Sequence, residues 1–133
     1  MANFPPNYFQ GEIRDDFYIE PMMKCAWAAE IEVLEVVAEI CNRHNIQYFA
    51  DYGTLLGAVR HKGFIPWDDD ADVMMLRKDY DRFLSVLPSE LPNYLFAQTQ
   101  ENEKDSHFPF TKLRINNTLL STEFTSRFPN IHN

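Results

Sequence analysis

Apolar residues recur at helical spacing between Met22 and His44, which predicts a long amphipathic helix over that range. Asn45 follows as a helix C-terminal stop signal. Glutamates cover much of the polar face: Glu30, Glu32, Glu35 and Glu39. The apolar face consists of Trp27, Ile31, Leu34, Ala38 and Cys41, broadened by Val33, Val37 and Ile40. We expect Trp27 and Cys41 to be core residues, and the helix to cover one face of a sheet.

Shorter patterns follow along the chain and alternate between strand-like and helix-like segments. Pro88 is expected to end the helix predicted at Lys78–Leu87. The alternation predicts an α/β (α+β) domain that covers residues 22–133, preceded by an extended N-terminal arm at residues 1–21, where prolines and aromatics are frequent. The predicted elements are a strand at Gln47–Ala50, a helix at Leu55–Val59, a buried strand at Val73–Leu76, a helix at Lys78–Leu87, a strand at Tyr94–Gln98, and a hairpin of Phe110–Ile115 with Thr118–Ser121 around Asn116 and Asn117.

Composition and charge narrow the class of protein. The chain has 133 residues, enough for one domain, and 45% of them are hydrophobic. Its net charge of −8 argues against nucleic acid or an anionic membrane surface as a partner. Cys25 and Cys41 lie about 24 Å apart on one predicted helix, so they cannot pair. Buried, reduced thiols, the lack of a membrane-spanning run and the lack of a signal-peptide pattern predict a cytoplasmic protein.

An acidic cluster runs directly into an apolar segment. Asp68, Asp69, Asp70 and Asp72 precede the run from Val73 to Leu76. In an extended backbone, alternate side chains share a face, so Asp68, Asp70 and Asp72 would point the same way. Carboxylates on one face repel each other unless a cation neutralises them, and oxygen ligands select Mg²⁺, Mn²⁺ or Ca²⁺. The alternative interpretation is a solvated acidic loop.

A helix-loop-helix calcium site is a competing interpretation of the same cluster. Asp68, Asp70 and Asp72 match the first, third and fifth positions of such a loop. The sixth position should be glycine and is Val73, and the twelfth should be glutamate and is Asp79. The flanking helices are also missing from the pattern, which disfavours this interpretation.

A Gly-Thr pair lies upstream of the acidic cluster. Gly53 permits a tight turn, and Thr54 is expected to cap the following helix. A helix N-terminus behind a glycine offers backbone N–H groups to phosphate. Together, the two motifs predict that Gly53 and Thr54 hold a diphosphate or triphosphate and that Asp70 and Asp72 hold the bridging divalent ion.

These motifs resemble those of the LicD family, which includes bacterial phosphocholine transferases and fukutin-related proteins and has a nucleotidyltransferase-type fold. The strongest resemblance comprises Tyr52–Arg60, His61–Asp70 and Asp72–Val73, read as YGTLLGAVR, HKGFIPWDDD and DV. Weaker similarity extends over roughly Glu30 to Thr122, including Asp79, Tyr80, Phe83, Lys112–Arg114 and Asn117–Thr118. The resemblance implies a mixed sheet with helices packed on it.

The resemblance also implies an activity and roles for particular residues. Family members transfer a phospho-substituent from a nucleotide-activated donor, such as CDP-choline, to a sugar hydroxyl of a surface glycan. Asp70 and Asp72 would hold Mg²⁺ (or Mn²⁺), and Asp68 would assist them. The base would be a carboxylate such as Asp68, unless activation by the metal suffices. Gly53 and Thr54 would contact the donor phosphates, and peripheral membrane association stays open. The segment Arg60, His61 and Lys62 would neutralise the leaving nucleotide, or else is a solvated basic loop.

One departure from the family pattern bears on activity. Sites of this type take a third carboxylate from a later strand, and Leu76 is not followed by an aspartate on a clear apolar strand. The expectation is therefore an N-terminal part of a longer protein or a shortened homologue. Two alternatives remain open: another nucleotide-dependent transferase, nucleotidyl or glycosyl, and a binding domain that holds metal and nucleotide without turnover. Lys112 and Arg114 are expected to share a strand face that lines the donor site or, with a slight preference, faces solvent.

Overall fold

The computed structural model describes residues 3–103 and 108–118, and it has the predicted α+β content. The described residues fall into two compact units that divide between Ser85 and Val86. In this part of the chain the strands form three separate two-stranded antiparallel sheets, so the single mixed sheet is not observed there. The elements are β1 (Glu12–Arg14), β2 (Phe17–Ile19), α1 (Pro21–His44), β3 (Phe49–Ala50), α2 (Tyr52–Arg60), β4 (Val73–Met74), α3 (Arg77–Glu90), β5 (Leu95–Gln98) and β6 (Lys112–Ile115).

Helix α1 confirms the long amphipathic helix. It begins with Pro21, where a proline costs no hydrogen bond, and Asn45 ends it in the left-handed conformation with φ of 51°. Trp27 and Cys41 are each 1% exposed, as the apolar pattern predicts. Other buried apolar residues of the first unit are Ile19, Val37, Ile40, Ile46, Ile65 and Phe83. This helix therefore organises the core of the first unit.

The N-terminal segment contains a β-hairpin that the sequence analysis does not predict. Strands β1 and β2 pair antiparallel, with Arg14 opposite Phe17. Asp15 and Asp16 form the two-residue turn, with φ of 50° and 59°. Positive φ at both turn residues matches the right-handed twist of the two strands, and aspartate tolerates this conformation. The Asp-Asp pair between two short β-prone runs is the signal that could have predicted it.

A buried lysine joins this hairpin to α1. Lys24 is 3% exposed, and its Nζ lies 2.8 Å from Oε1 of Glu12. The same ammonium group lies 5.1 Å from the ring centroid of Tyr8 and 5.6 Å from that of Trp27. The carboxylate and the two aromatic faces together compensate for the desolvation of the charge. The same ion pair lowers the pKa of Glu12, chiefly through the hydrogen bond from Lys24.

The apolar run after the acidic cluster is less buried than predicted. Strand β4 is limited to Val73 and Met74, which are 36% and 47% exposed, and Leu76 is 61% exposed. The strand pairs with β3, so that Ala50 lies opposite Val73. The prediction of a buried strand is wrong for these side chains, because an apolar run becomes buried only where another layer covers it.

Helix α3 continues past the predicted stop. Pro88 lies inside the helix, which ends at Glu90, and the N–H of Leu91 still donates to the carbonyl of Leu87 at 2.9 Å. A proline lacks an N–H, but its φ of about −65° is compatible with helical backbone, so the residues after Pro88 remain helical. Phe83 and Leu87 are 5% and 3% exposed, in agreement with the predicted inward face.

The second unit contains the β5–β6 ribbon. Strand β6 pairs with β5, so that Arg114 lies opposite Phe96, and residues 119–121 of the predicted hairpin lie outside the described residues. Arg114 donates from Nε to Oε1 of Gln98 at 3.0 Å, and desolvation lowers its pKa. The Nζ of Lys112 lies 3.7 Å from the ring centroid of Phe108. Both basic side chains thus have partners within this unit.

The cysteine prediction is confirmed in part. Both cysteines are free, and burial raises the pKa of the Cys41 thiol to about 11, with Asp79 adding to the effect. Cys25 is exposed rather than buried. In the part of the chain that the structure describes, no helix has the length and apolar character needed to cross a membrane.

We expect Gly57→Ala to destabilise the first unit. A Cβ at this position of α2 would lie 2.5 Å from the carbonyl oxygen of Gly63 and 3.2 Å from the backbone nitrogen of Ile65. Backbone atoms cannot rotate away, and overpacking of this kind costs about 1–3 kcal/mol. Urea unfolding measures the loss. Gly63→Ala is the matched control, because its Cβ would meet nothing within 4 Å; equal stability of the two variants would contradict the close packing.

Candidate functional site

The Gly-Thr segment and the acidic segment are joined by backbone hydrogen bonds. The N–H of Asp51 donates to the carbonyl of Asp72 at 3.1 Å, which extends the β3–β4 pairing by one step. The N–H of Asp72 donates to Oγ1 of Thr54 at 2.8 Å. The start of α2 and the residue before β4 are therefore fixed against each other, and the two motifs form one site.

Thr54 does not cap α2, which corrects the prediction for this residue. Asp51 is the N-cap, and its Oδ1 accepts the N–H of Tyr52 at 2.9 Å. The helix starts three residues earlier than predicted, so the hydroxyl of Thr54 lies within its first turn. From there it reaches sideways to the acidic segment rather than back to its own helix.

Gly53 allows the Asp68 side chain to approach closely, rather than forming a turn with positive φ. Gly53 does not have a positive φ, whereas the neighbouring Tyr52 has a φ of 41°. A Cβ on Gly53 would collide with the carboxylate of Asp68. Asp68 therefore lies directly over the first turn of α2, where the helix dipole favours a negative charge. This contact brings Gly53, Thr54, Asp68 and Asp72 together.

Trp27 holds the backbone of the acidic segment. Its indole Nε1 donates to the carbonyl oxygen of Asp68 at 2.8 Å. The ring is stacked on Phe64 at 5.0 Å with an interplanar angle of 4°. On the other side of this contact, the N–H of Asp68 donates to the carbonyl of Ile65 at 3.0 Å, which closes a turn. A core residue of α1 thus determines where the acidic segment begins.

The carboxylates of the segment interact electrostatically. Partial burial raises the pKa of Asp68, and the charges of Asp70 and Asp69 raise it further, against a lowering by a backbone hydrogen bond. Asp69 and Asp70 are exposed, and Asp72 is half-buried. These residues precede β4 in irregular backbone, so the strand alternation predicted for the aspartates does not apply. The repulsion is the condition under which a cation would be stabilising.

Glu30 of α1 is an acidic residue near this segment that is absent from the predicted site. Its Oε2 is buried and has no hydrogen-bond partner among the described residues. Burial raises the pKa of Glu30 to about 7, and the charges of Asp70, Asp69 and Asp68 add to the effect in that order. The helical pattern assigns Glu30 to the polar face. The only signal in the sequence that the Glu30 side chain points toward the acidic segment is its position one turn after Trp27.

The donor set is suited to a hard divalent cation, since all the acidic groups offer oxygen. Within residues 3–103 and 108–118, no group of three or more histidine, cysteine, aspartate or glutamate side chains lies close enough to hold a metal ion. Mg²⁺ is commonly held by one or two carboxylates together with water and substrate phosphates. The assignment of Asp70 and Asp72 as ligands, and of Mg²⁺ or Mn²⁺ as the ion, therefore stays a prediction.

The predicted basic segment lies at the other end of α2. Arg60 is separated from Thr54 by about 9 Å of helix axis. His61 accepts from Nε of Arg60 at Nδ1 (3.2 Å), and its Nε2 lies 3.3 Å from Oδ2 of Asp15 in the hairpin turn. The side chain of His61 is only 7% exposed. Lys62 has a φ of 58°, and its Nζ donates to the carbonyl of Val59 at 2.9 Å.

Aromatic contacts complete the docking of the hairpin on this basic segment. Trp67 makes edge contacts with His61 at 6.0 Å and with Phe17 of β2 at 5.8 Å. His61 thus has a structural role that sequence patterns do not predict. Arg60 and Lys62 are exposed.

We expect Thr54→Val to destabilise the site by about 1–2 kcal/mol, since the N–H of Asp72 would lose its acceptor in a half-buried position. The methyl group of valine replaces the hydroxyl with little change of shape. Thr54→Ser keeps the oxygen and is the control. Chemical denaturation of both variants tests this, and a valine variant as stable as the serine variant would show that the bond is unimportant.

We expect stability to depend on pH through Glu30. Its folded pKa of about 7 lies above the ordinary glutamate value of 4.5, so the folded chain retains a proton that the unfolded chain releases. The contribution is complete below pH 4.5 and is lost as the pH rises through 7. In metal-free buffer at pH 8, Glu30→Gln should be more stable than the wild-type chain by about 1 kcal/mol, a value reduced because Glu30 is partly exposed.

Thermal melting at pH 4 and pH 8 measures this difference, because glutamine stays neutral at both values. Glu39→Gln, at an exposed position of α1, controls for the change in net charge. If Glu30→Gln and Glu39→Gln shift the melting temperature equally at pH 8, then burial and the neighbouring aspartates do not destabilise the ionised carboxyl of Glu30.

Residues 45–130 match the family model "LicD/FKTN/FKRP, nucleotidyltransferase domain". The chain is 44% identical over 72 residues to "Lipopolysaccharide cholinephosphotransferase LicD" of Haemophilus influenzae, an alignment covering 54% of this chain and 27% of that protein. It is 42% identical over 57 residues to an uncharacterised protein of Rickettsia typhi, covering 43% of this chain and 18% of the relative. No solved structure matches.

The chain therefore spans about a quarter or less of the length of these relatives. The family match includes α2, the acidic segment and the basic segment between them. Glu30 and Trp27 lie outside it. Because the family model covers more than half of the chain, the chain belongs to the LicD/FKTN/FKRP nucleotidyltransferase-domain family.

Proposed function

We propose that this chain takes part in the cation-dependent transfer of phosphocholine from CDP-choline, or a similar nucleotide-activated donor, to a hydroxyl of a cell-surface glycan such as lipopolysaccharide. The observation that carries the proposal is the hydrogen bond from the Asp72 N–H to Thr54 Oγ1, which joins the two motifs at one place. The similarity to a relative named as a lipopolysaccharide cholinephosphotransferase supports this choice of donor and acceptor.

In this proposal, Asp70 and Asp72 hold Mg²⁺ or Mn²⁺. The cation supplies charge neutralisation for the donor diphosphate and for the leaving nucleotide. Asp70 is exposed, so its carboxylate is accessible to the nucleotide-activated donor from solution. Asp72 is fixed by two backbone hydrogen bonds, from its N–H to Thr54 and from the N–H of Asp51 to its carbonyl. One ligand would thus be fixed by the fold and the other would approach from the surface.

The start of α2 would face the donor phosphates. The N–H groups of Gly53 and Thr54 belong to the first helical turn, where no carbonyl of the helix itself is in position to accept them. A helix N-terminus favours a phosphate in the same way as it favours the carboxylate of Asp68. Arg60 and Lys62 are the exposed cations proposed to neutralise the leaving nucleotide; His61 is engaged with Asp15.

The reaction would be an in-line displacement at phosphorus. The acceptor hydroxyl oxygen forms a bond to the phosphorus of phosphocholine, and the bond from that phosphorus to the bridging oxygen of the diphosphate breaks. CMP leaves with the bonding electrons, and the hydroxyl proton passes to Asp68. Asp68 is the carboxylate that lies against the first turn of α2, next to Gly53.

We expect CDP-choline to bind this chain only with Mg²⁺ or Mn²⁺ present, and Asp70→Asn with Asp72→Asn to abolish that binding. Titration calorimetry with CDP-choline, CTP and CMP measures it. Asp81→Asn, on α3 beside Arg77, removes one carboxylate charge away from the site and should bind normally. Donor binding that survives the double substitution would refute the assignment of the ligands.

Product analysis separates this reaction from its alternatives. Transfer of phosphocholine releases CMP, whereas a glycosyltransferase acting on a nucleotide sugar releases a nucleoside diphosphate. Binding of metal and donor without release of CMP in the presence of glycan would instead support a binding domain without turnover.

A further inference from the structure

We infer that Glu30 is a further positioning residue of the proposed cation site, with its carboxylate accepting a hydrogen bond from water bound to the cation. This inference rests on the proposed function, since it concerns the same cation. It extends the site to α1, which supplies none of the residues assigned above as ligands or substrate contacts. Two observations carry it. The Trp27 face of α1 contacts the acidic segment, and Oε2 of Glu30 is buried without a hydrogen-bond partner among the described residues.

The direction of the α1 face is fixed by Trp27. Its indole donates to the backbone carbonyl of Asp68, so this face of the helix is in contact with the acidic segment. Residues three apart on a helix are neighbours on the same face. Glu30 therefore follows Trp27 toward the aspartates, and among the neighbouring charges that act on it Asp70 is the strongest.

The carboxylate of Glu30 lacks a hydrogen-bond donor to its Oε2 among the described residues. Its Oε2 is buried from solvent and accepts no hydrogen bond from any described residue. A buried carboxylate oxygen without a donor is costly, and the neighbouring groups are acceptors with negative charge. A cation with its hydration water would provide both the positive charge and the missing donor.

A water-mediated role is consistent with the way in which proteins commonly hold Mg²⁺. The described residues contain no group of three or more acidic or histidine side chains placed to hold a metal directly. Mg²⁺ retains several waters when one or two carboxylates bind it, and outer carboxylates orient those waters. Glu30 would then contribute to affinity without touching the cation.

The test compares Mn²⁺ binding by the wild-type chain, Glu30→Gln and Glu39→Gln at pH 8, using electron paramagnetic resonance to count free Mn²⁺. We expect Glu30→Gln to bind about tenfold more weakly, the effect usual for outer partners of a metal site. Glu39→Gln, exposed on the same helix, should match the wild-type chain.

Thermal melting of the same samples separates positioning from folding. Glu30→Gln should melt at a higher temperature than the wild-type chain without metal, yet gain less stability when Mn²⁺ is added. A residue that only supported the fold would not produce these opposite changes.

Two results would overturn the inference, and they differ. Equal Mn²⁺ affinity of the wild-type chain and Glu30→Gln would exclude the role of Glu30 while leaving the proposed function intact. Lack of Mn²⁺ binding by folded wild-type chain would refute both proposals.

Discussion

The buried indole of Trp27 is the contact on which the first unit depends. Its ring face is stacked on Phe64, its edge donates to the carbonyl of Asp68, and the ammonium group of Lys24 lies over it. A single side chain therefore connects the long helix, the acidic segment and, through the ion pair of Lys24 with Glu12, the N-terminal hairpin. Phenylalanine would preserve the stacking but not the hydrogen bond that positions the acidic segment.

The indole is needed because the acidic segment has little regular structure of its own. Asp68 to Asp72 precede a strand of two residues, too short to fix five side chains by pairing alone. Their backbone is held at discrete points instead: Trp27 at the beginning, Thr54 and Asp51 at the end. Such an arrangement fixes the backbone while leaving Asp69 and Asp70 exposed, as the proposed binding of a cation and a nucleotide-activated donor requires.

The sequence predicts contacts that repeat along the chain better than contacts between distant segments. The helical spacing predicts the start of α1 to within one residue, its end at His44, and the burial of Trp27 and Cys41, because periodicity directly reflects which face is covered. The apolar run at residues 73–76 does not predict the exposure of Met74, because that exposure depends on whether another layer covers the strand. The Asp-Asp hairpin turn is readable from local chemistry, whereas the contact of His61 with Asp15 depends on tertiary packing.

The candidate site follows the same division. The motif pair Gly53-Thr54 and Asp68–Asp72 is visible in the sequence, but the reasons for its residues are not: Gly53 makes room for Asp68, and Thr54 bonds Asp72 rather than capping its helix. Glu30 is hidden among four glutamates of one helix and differs from the others only through Trp27 one turn earlier. A hydrogen-bond donor on one turn and an unsatisfied acceptor on the next both face the same segment, so α1 contributes to the polar chemistry of the site as well as to the core.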